Sequence, residues 1–358
     1  MQREKLIFTL FIIFYIALAL YAMGRFSQTS HWGNAWHGAT LANMVNGTAE
    51  KPYVYRVLVS EIIAFFVQIT PVSVQQSAGA ALMTLKDCSL IDAVFLQPPH
   101  PHPAASEMAQ FYMLSYMRMI TGIVLCLFLA GYTIALYKLA ATLFPGEQAM
   151  ILFTPLIGLI AVPALNGFYI YDFSALCLAT CGYYCLAVKQ WRWYLFWFTL
   201  ACLNKETSVF LCIFYGLWFY RRLPAPFFAK YLGIQLAIYA VIKGAITWWF
   251  RDNPGVFIMT RWQSLQASTI MEGYNYHALI INLAGIFMLV HHWQEKPLFA
   301  RCGLWNFLLM LIAFFLFGHP HEYRVFYDVM PLLVVLITHT LIETTGISQA
   351  GWFKTKDN

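Results

Sequence analysis

Long runs of apolar residues, separated by short polar loops, dominate the chain. A helix needs roughly 20 apolar residues to cross the hydrocarbon core of a bilayer, and eight runs approach or exceed that length. These runs are 6–24, 119–141, 149–166, 170–188, 231–250, 276–293, 302–318 and 327–345. The pattern predicts an all-α fold: a polytopic transmembrane helical bundle that forms one domain over residues 1–358.

Two further apolar stretches are interrupted by polar residues. Residues 57–86 break at Thr70-Pro71, and residues 193–220 break at the polar sequence 204–207. The first arm of the second stretch rises only about 16 Å, roughly half of the hydrocarbon thickness. Because cations flank both ends of this stretch, the positive-inside rule predicts a re-entrant pair of half-helices. Counting such half-helices, we expect about 9–12 membrane segments.

The basic residues of the loops predict which segments lie outside the membrane. The amino terminus carries Arg3 and Lys5 before the first run, so it is predicted to be cytoplasmic. Alternation then places the loops 25–56 and 87–107 on the extracytoplasmic side. Within the first of these loops, the stretch His31–Val45 is amphipathic, which predicts a helix that lies along the membrane interface.

Composition supports a membrane protein and argues against a nucleic-acid partner. Hydrophobic residues make up 60% of the chain and charged residues only 11%, whereas soluble domains have about 25% charged residues. The formal net charge of +6 is dispersed over short loops, where it sets topology. We therefore expect membrane lipid as a partner and no nucleic acid.

The polar sequence Asn204-Lys205-Glu206-Thr207 is the first candidate site. A charge at membrane depth costs about 2.5–3.5 kcal/mol, so each charge needs a partner or a task. In the functional interpretation, Asn204 and Lys205 bind an anionic phosphate while Glu206 orients the substrate or acts as acid or base. In the alternative interpretation, Lys205 and Glu206 pair with each other and Thr207 caps a half-helix.

Asp172 and Arg56 each have a structural and a functional interpretation. Asp172 begins an apolar run, where an acid can serve as a helix cap or as a catalytic carboxylate. Arg56 follows Tyr55 at the outer membrane boundary and can either pair with Glu61 or bind a diphosphate. Glu50 precedes this motif in the first outer loop.

The segment between the last two apolar runs is rich in ionisable residues. Glu322 and Arg324 can form an ion pair, and Asp328 can cap the last helix. Alternatively, Arg324 holds a phosphate, with His321 or Glu322 near the reaction centre and Asp328 beside them. The pairs His100/His102 and His319/His321 raise the possibility of a divalent metal, although histidines on separate loop surfaces are the simpler interpretation.

Several short motifs together resemble a known class of membrane enzyme. The class comprises the GT-C-type glycosyltransferases, which use polyprenyl-phosphate-linked sugars, and related bacterial polysaccharide-assembly proteins. The matching positions are Tyr53-x-Tyr55-Arg56-x-Leu58, Tyr171-Asp172-Phe173, Asn204-Lys205-Glu206-Thr207 and Glu322-x-Arg324-x-x-x-Asp328-x-x-Pro331.

The resemblance implies a GT-C-like fold and a lipid-linked sugar donor. It further implies transfer to a glycan or lipid acceptor on the outer side of the bacterial cytoplasmic (inner) membrane. Members of this class carry a catalytic acid in the first outer loop, but residues 25–49 contain no Asp or Glu. Glu50, Glu61 or Asp172 then takes that role, or the chain has lost the transferase chemistry.

Two other functions compete with a transferase. Broken helices at mid-depth are typical of transporters, so a transporter or flippase for a lipid-linked or anionic substrate is one alternative. The missing acid of the first loop favours the other alternative, a non-catalytic subunit of a polysaccharide-assembly complex.

Overall fold

The fold was analysed in a computed structural model, which describes residues 2–30, 37–84, 108–164, 169–255, 276–317 and 323–347. The described residues form helices and contain no β-strand beyond one isolated bridge between Lys51 and Gly255. Within these ranges the α-helices, in chain order, are α1 Gln2–Ser30, α2 Leu41–Val45, α3 Val57–Ile69, α4 Val72–Thr84, α5 Met108–Leu143, α6 Gln148–Ala164, α7 Asp172–Ala187, α8 Trp191–Asn204, α9 Val209–Phe219, α10 Ala225–Trp249, α11 Tyr276–Val290, α12 Leu298–Phe317 and α13 Met330–Thr345.

Four of these helices are long and apolar enough to cross a membrane. They are Lys5–Ser27, Met108–Leu143, Ala225–Trp249 and Leu298–Phe317. The pair α3 and α4 qualifies as one more broken span, with a bend of 109°. The prediction of an all-helical protein with membrane-spanning helices is therefore confirmed at this level, whereas a total of 9–12 segments stays a prediction.

Proline sets the bend between α3 and α4. Thr70 has the extended backbone (φ −91°, ψ 124°) that the residue before a proline prefers, and α4 starts directly after Pro71. The break therefore lies where the sequence predicts it. Gln75 stabilises the bend because its side-chain amide donates hydrogen bonds to the carbonyls of Val67 and Thr70, at 2.8 and 2.7 Å.

The helices α8 and α9 form an antiparallel hairpin. The ring of Trp191 lies 5.0 Å from that of Phe219, and Tyr194 stacks on Tyr215 at 6.4 Å. The ends of the two helices that are remote from the turn therefore lie side by side. At the turn, Lys205 has an extended backbone (φ −155°, ψ 149°), which interrupts the helix. The chain thus reverses its direction between two short helices, and the depth of this turn in a bilayer stays a prediction.

Two predicted boundaries need correction. The helix α5 begins at Met108 and not at residue 119, because its first turns pack against α4 even though they are less apolar. The amphipathic stretch His31–Val45 is not one interfacial helix in its described part. A short 3-10 turn and α2 lie there instead, and Leu41 and Met44 are buried in the protein core. Residues 31–36 and 87–107 lie outside the described ranges, so the second outer loop is not described.

The loop before Arg56 pairs with the segment after α10 at one end of the bundle. The backbone N–H of Lys51 donates to the carbonyl of Pro254 at 2.8 Å. The amide of Asn253 donates to the carbonyls of Gly47 and Ala49, at 2.9 and 3.0 Å. These bonds connect residues about 200 positions apart and hold Arg56, which follows the loop, beside the helices of the site.

A glycine contact tests the junction of α4 and α5. A Cβ atom on Gly79 would lie 2.2 Å from the carbonyl oxygen of Tyr112, a backbone atom that no rotamer change can move away. We expect Gly79→Ala to destabilise the protein by about 1–3 kcal/mol. Gly233→Ala is the control, because a Cβ there meets nothing within 4 Å. Thermal unfolding in detergent should show a lower midpoint for Gly79→Ala alone, and equal midpoints would contradict this contact.

Candidate anion-binding site

The structure brings the main charged candidates into one cluster. Arg56 comes from the segment before α3, Asp172 from the start of α7, and Arg324 from the 3-10 turn Tyr323–Asp328. Lys205 and Glu206 come from the turn between α8 and α9. Four distant segments of the chain thus meet at one point, and the polar residues predicted from separate motifs belong to one site.

Arg56 binds Glu206 in a bidentate ion pair. Its Nη2 lies 2.6 Å from Oε1 and its Nε lies 3.2 Å from Oε2. Arg56 also donates to the hydroxyl of Tyr171. The predicted pairing of Arg56 with Glu61 is wrong, because the ion-pair partner of Arg56 is Glu206 and Glu61 is exposed on α3.

Asp172 faces two buried cations. Its Oδ1 lies 3.7 Å from Nζ of Lys205, and its Oδ2 lies 3.5 Å from Nη1 of Arg324. Oδ2 also accepts a hydrogen bond from the backbone N–H of Tyr169 at 2.8 Å. Asp172 is the first residue of α7 and its bond goes to a residue before the helix, so the N-cap interpretation is wrong. Its single carboxylate lies between the two cations where water cannot reach.

Lys205 and Glu206 do not pair with each other. Lys205 faces Asp172, whereas Glu206 faces Arg56, because the extended backbone of Lys205 turns the two neighbouring side chains in opposite directions. Thr207 is not a helix cap either, since its hydroxyl donates to Oδ2 of Asp328 at 2.5 Å. Asp328 likewise does not cap the last helix, because it accepts this bond from Thr207 and Val329 is the residue before α13.

Asn204 fixes the turn against the start of α7. Its side-chain nitrogen donates to the carbonyl of Tyr171 at 3.0 Å, and its oxygen accepts from the hydroxyl of Ser174 at 2.6 Å. Asn204 is 1% exposed. A buried amide that is satisfied on both sides holds two helices in register. Asn204 therefore positions the turn and has no free group for a ligand.

Tyrosine rings line the cluster and contact both guanidinium groups. Tyr53 stacks on Tyr169 at 5.3 Å, and Tyr169 stacks on Tyr171 at 5.4 Å. The guanidinium carbon of Arg324 lies 4.1 Å from the ring of Tyr169, and that of Arg56 lies 4.3 Å from the ring of Tyr171. Cation–π contacts with both tyrosines orient the arginines and leave their hydrogen-bonding edges for anions.

Sequence reasoning missed Lys243 and Tyr239 of α10. The hydroxyl of Tyr239 donates to the backbone carbonyl of Glu206 at 3.0 Å. The ammonium nitrogen of Lys243 is buried near Glu206 and Arg56 and donates no hydrogen bond to any described residue. The signal was present, because Lys243 is the only charged residue in the predicted span 231–250.

The cluster differs from an ordinary buried salt bridge in charge and in exposure. Its described residues include four basic side chains, counting Lys243, and three carboxyl groups, which in their ordinary protonation states leave one positive charge in excess. The side chain of Asp172 is 0% exposed, whereas that of Glu206 is 43% exposed. A surplus cation next to one accessible carboxylate suits the binding of an anion such as phosphate.

The other predicted residues lie elsewhere or outside the described ranges. Tyr55 is buried in the apolar core. The side chain of Glu50 packs on Gly38, and its backbone N–H donates to the carbonyl of Gly38 at 2.7 Å. His321 and Glu322 lie outside the described residues, as do His100, His102 and His319. Among the described residues, no group of three or more His, Cys, Asp or Glu side chains is arranged to hold a metal ion.

Comparisons of the chain with protein-family models, curated proteins and solved structures find no match.

Removal of the central carboxylate tests the ion-pair arrangement. Asp172→Asn removes the carboxylate that lies between the buried cations Lys205 and Arg324, so we expect a loss of about 3–5 kcal/mol in unfolding free energy. Glu61→Gln is the matched control, since Glu61 is exposed on a neighbouring helix. Thermal unfolding of both purified variants in detergent measures the difference. Equal stability of both variants would show that Asp172 does not hold the cluster together.

Proposed function

We propose that this chain is a GT-C-like membrane glycosyltransferase that transfers a sugar from a polyprenyl-phosphate-type lipid donor to an envelope glycan, lipid or protein acceptor. One observation carries the proposal: the half-exposed carboxylate of Glu206 lies among Arg56 and Lys243, in a cluster with one surplus positive charge. Such a transfer needs this combination, namely a base for the acceptor and cations for the phosphate that leaves.

The cations stabilise the phosphate that leaves the sugar. When the bond between the sugar C1 and the phosphate oxygen breaks, the electron pair stays on that oxygen, and a full negative charge develops on the lipid phosphate. Arg56 and Lys243 lie next to Glu206 and are placed to stabilise this charge, with Arg324 behind them. Tyr171 connects the two arginines, because its hydroxyl contacts both guanidinium groups.

Glu206 is the carboxylate best suited to act as the base. Asp172 is sealed off by its two cations, and Asp328 is only 2% exposed, whereas Glu206 has an accessible side chain. A phosphate that accepts hydrogen bonds from Arg56 competes with Glu206 and releases one carboxylate oxygen. That oxygen takes the proton of the acceptor hydroxyl as the new bond to C1 forms. Glu206 in this way fills the role of the acid missing from residues 25–49.

The location of the reaction follows from charge distribution. Lys189, Arg192, Arg221 and Arg222 lie at the end of α7, α8 and α9 that is remote from the cluster. The positive-inside rule places this basic end in the cytoplasm, together with the amino terminus, and the cluster toward the outer face of a bacterial cytoplasmic membrane. The lipid tail of the donor can then lie against the apolar surface while its phosphate enters the cluster.

Two substitutions test the transferase chemistry. Glu206→Gln removes the base, and Arg324→Ala removes a charge that supports the phosphate, so each should lower the rate of sugar transfer by roughly 10²–10³-fold or more. Glu61→Gln should keep the rate of the wild type. The assay follows transfer of a radiolabelled sugar from polyprenyl-phosphate sugar donors in membranes that contain each variant. Undiminished product from both cluster variants, at equal amounts of folded protein, would exclude this site.

A transporter or flippase remains the second candidate, and two breaks in the helices favour it. The 109° bend between α3 and α4 and the turn at Lys205 both interrupt apolar segments beside polar residues. Transport requires that the site open to each face of the membrane in turn.

Labelling from both sides separates transport from transfer. Thr207→Cys places a thiol at the cluster, in a chain whose own described cysteines are reduced and mostly buried. A fixed outward site predicts labelling by a membrane-impermeant maleimide from the outer side only. Labelling from the cytoplasmic side as well would favour transport. Arg221→Cys, at the opposite end of α9, is the control for cytoplasmic access.

A further inference from the structure

Arg118 of α5 is buried and has no polar partner among the residues that the structure describes. Its side chain is 8% exposed, its Nε is inaccessible, and it forms no hydrogen bond or ion pair with any described residue. In the cluster around Asp172, every cation except Lys243 has an anionic or carbonyl partner. Arg118 has no such partner among the described residues. An arginine is charged at any physiological pH, and a buried charge without compensation costs several kcal/mol. An anion that is not part of this chain would remove that cost.

The position of Arg118 along α5 identifies the chemistry of the anion. Arg118 and Lys138 bracket residues 119–137, which contain no charged side chain. The two residues are about 30 Å apart along the helix, which equals the thickness of the hydrocarbon core. If Lys138 lies at one boundary of the core, Arg118 lies at the other, in the layer of the lipid phosphates. The opposite face of the same helix is apolar and exposed at Ile123 and Leu127, as expected for contact with lipid.

Arg118 is separate from the cluster around Asp172. A Cβ on Gly131 would lie 2.8 Å from Sγ of Cys177, and the ammonium of Lys138 lies 5.9 Å from the ring of Tyr184. The same offset in sequence at both contacts shows that α5 and α7 run parallel. Asp172 then lies beside Cys126, and Arg118 lies about 12 Å farther along the bundle axis. A phosphate bound at Arg118 is therefore a second ligand and not the one proposed for the cluster.

We propose that Arg118 forms a binding site for the phosphate headgroup of a membrane lipid, which enters between the helices at the end of the span. Ser115 lies one turn before Arg118 on the same buried face of α5, and its hydroxyl donates to the carbonyl of Phe111 at 3.0 Å, a bond that it would exchange to donate to the phosphate. The inference does not depend on a transferase function, because it follows from the burial and the depth of one guanidinium group.

Lipid titration of the purified protein tests this site. Protein stripped of lipid in a non-ionic detergent is titrated with phosphatidylglycerol, with diacylglycerol, which lacks the phosphate, and with inorganic phosphate. A ligand that binds only the folded state raises the unfolding midpoint, and the rise grows with the logarithm of ligand concentration above its dissociation constant. We expect phosphatidylglycerol alone to stabilise the wild type, with binding roughly tenfold weaker in Arg118→Gln. Arg192→Gln, which alters an exposed arginine of α8, should behave as the wild type.

Each outcome decides the proposal. Without lipid, Arg118→Gln should unfold at the same or a higher temperature than the wild type, because it removes an uncompensated charge. Arg118→Lys keeps the charge and should retain part of the lipid effect. Full lipid stabilisation of Arg118→Gln, or its failure to fold, would overturn the site. Equal stabilisation by inorganic phosphate would overturn a lipid source, and equal stabilisation by diacylglycerol would overturn recognition of the phosphate.

Discussion

The burial of Asp172 between Lys205 and Arg324 is the constraint on which the site depends. A carboxylate with no solvent exposure persists as an anion only with cations beside it, and these two cations come from distant segments of the chain. The three charges therefore fix the start of α7, the turn after α8 and the segment before α13 relative to one another. Asp172 is the shared partner of both cations, so its loss removes the ion pairs that connect the three segments.

The chemistry of Glu206 follows from that constraint. Because Lys205 must point toward Asp172, the extended backbone at the turn directs Glu206 to the other side, where Arg56 receives it. Asn204 reinforces the same turn through Ser174 and the carbonyl of Tyr171. The site therefore has two parts. The buried part around Asp172 stabilises the fold, and the accessible part around Glu206 can exchange partners.

Most helices and most members of the site were predictable from the sequence, and the pairing within the site was not. Apolar runs and the proline at position 71 predicted the helices and the bend because these signals are local. The sequence also indicated that Arg56, Asp172, Lys205, Glu206 and Arg324 need partners. It suggested neighbours in sequence, such as Glu61 for Arg56, whereas the partner is Glu206, 150 positions away. Lys243 was missed because it lies inside an apolar run that was considered only as a span.

In the proposed sugar transfer, the ion pair between Glu206 and Arg56 raises the question of how Glu206 can accept a proton. A carboxylate held by two hydrogen bonds from a guanidinium is a weak base while that pair is intact. The surplus cation resolves this difficulty. A phosphate that brings negative charge to Arg56 and Lys243 weakens the hold of Arg56 on Glu206 and raises its basicity. Binding of the donor and activation of the base are then one event, and the carboxylate is shielded by its ion pair until substrate arrives.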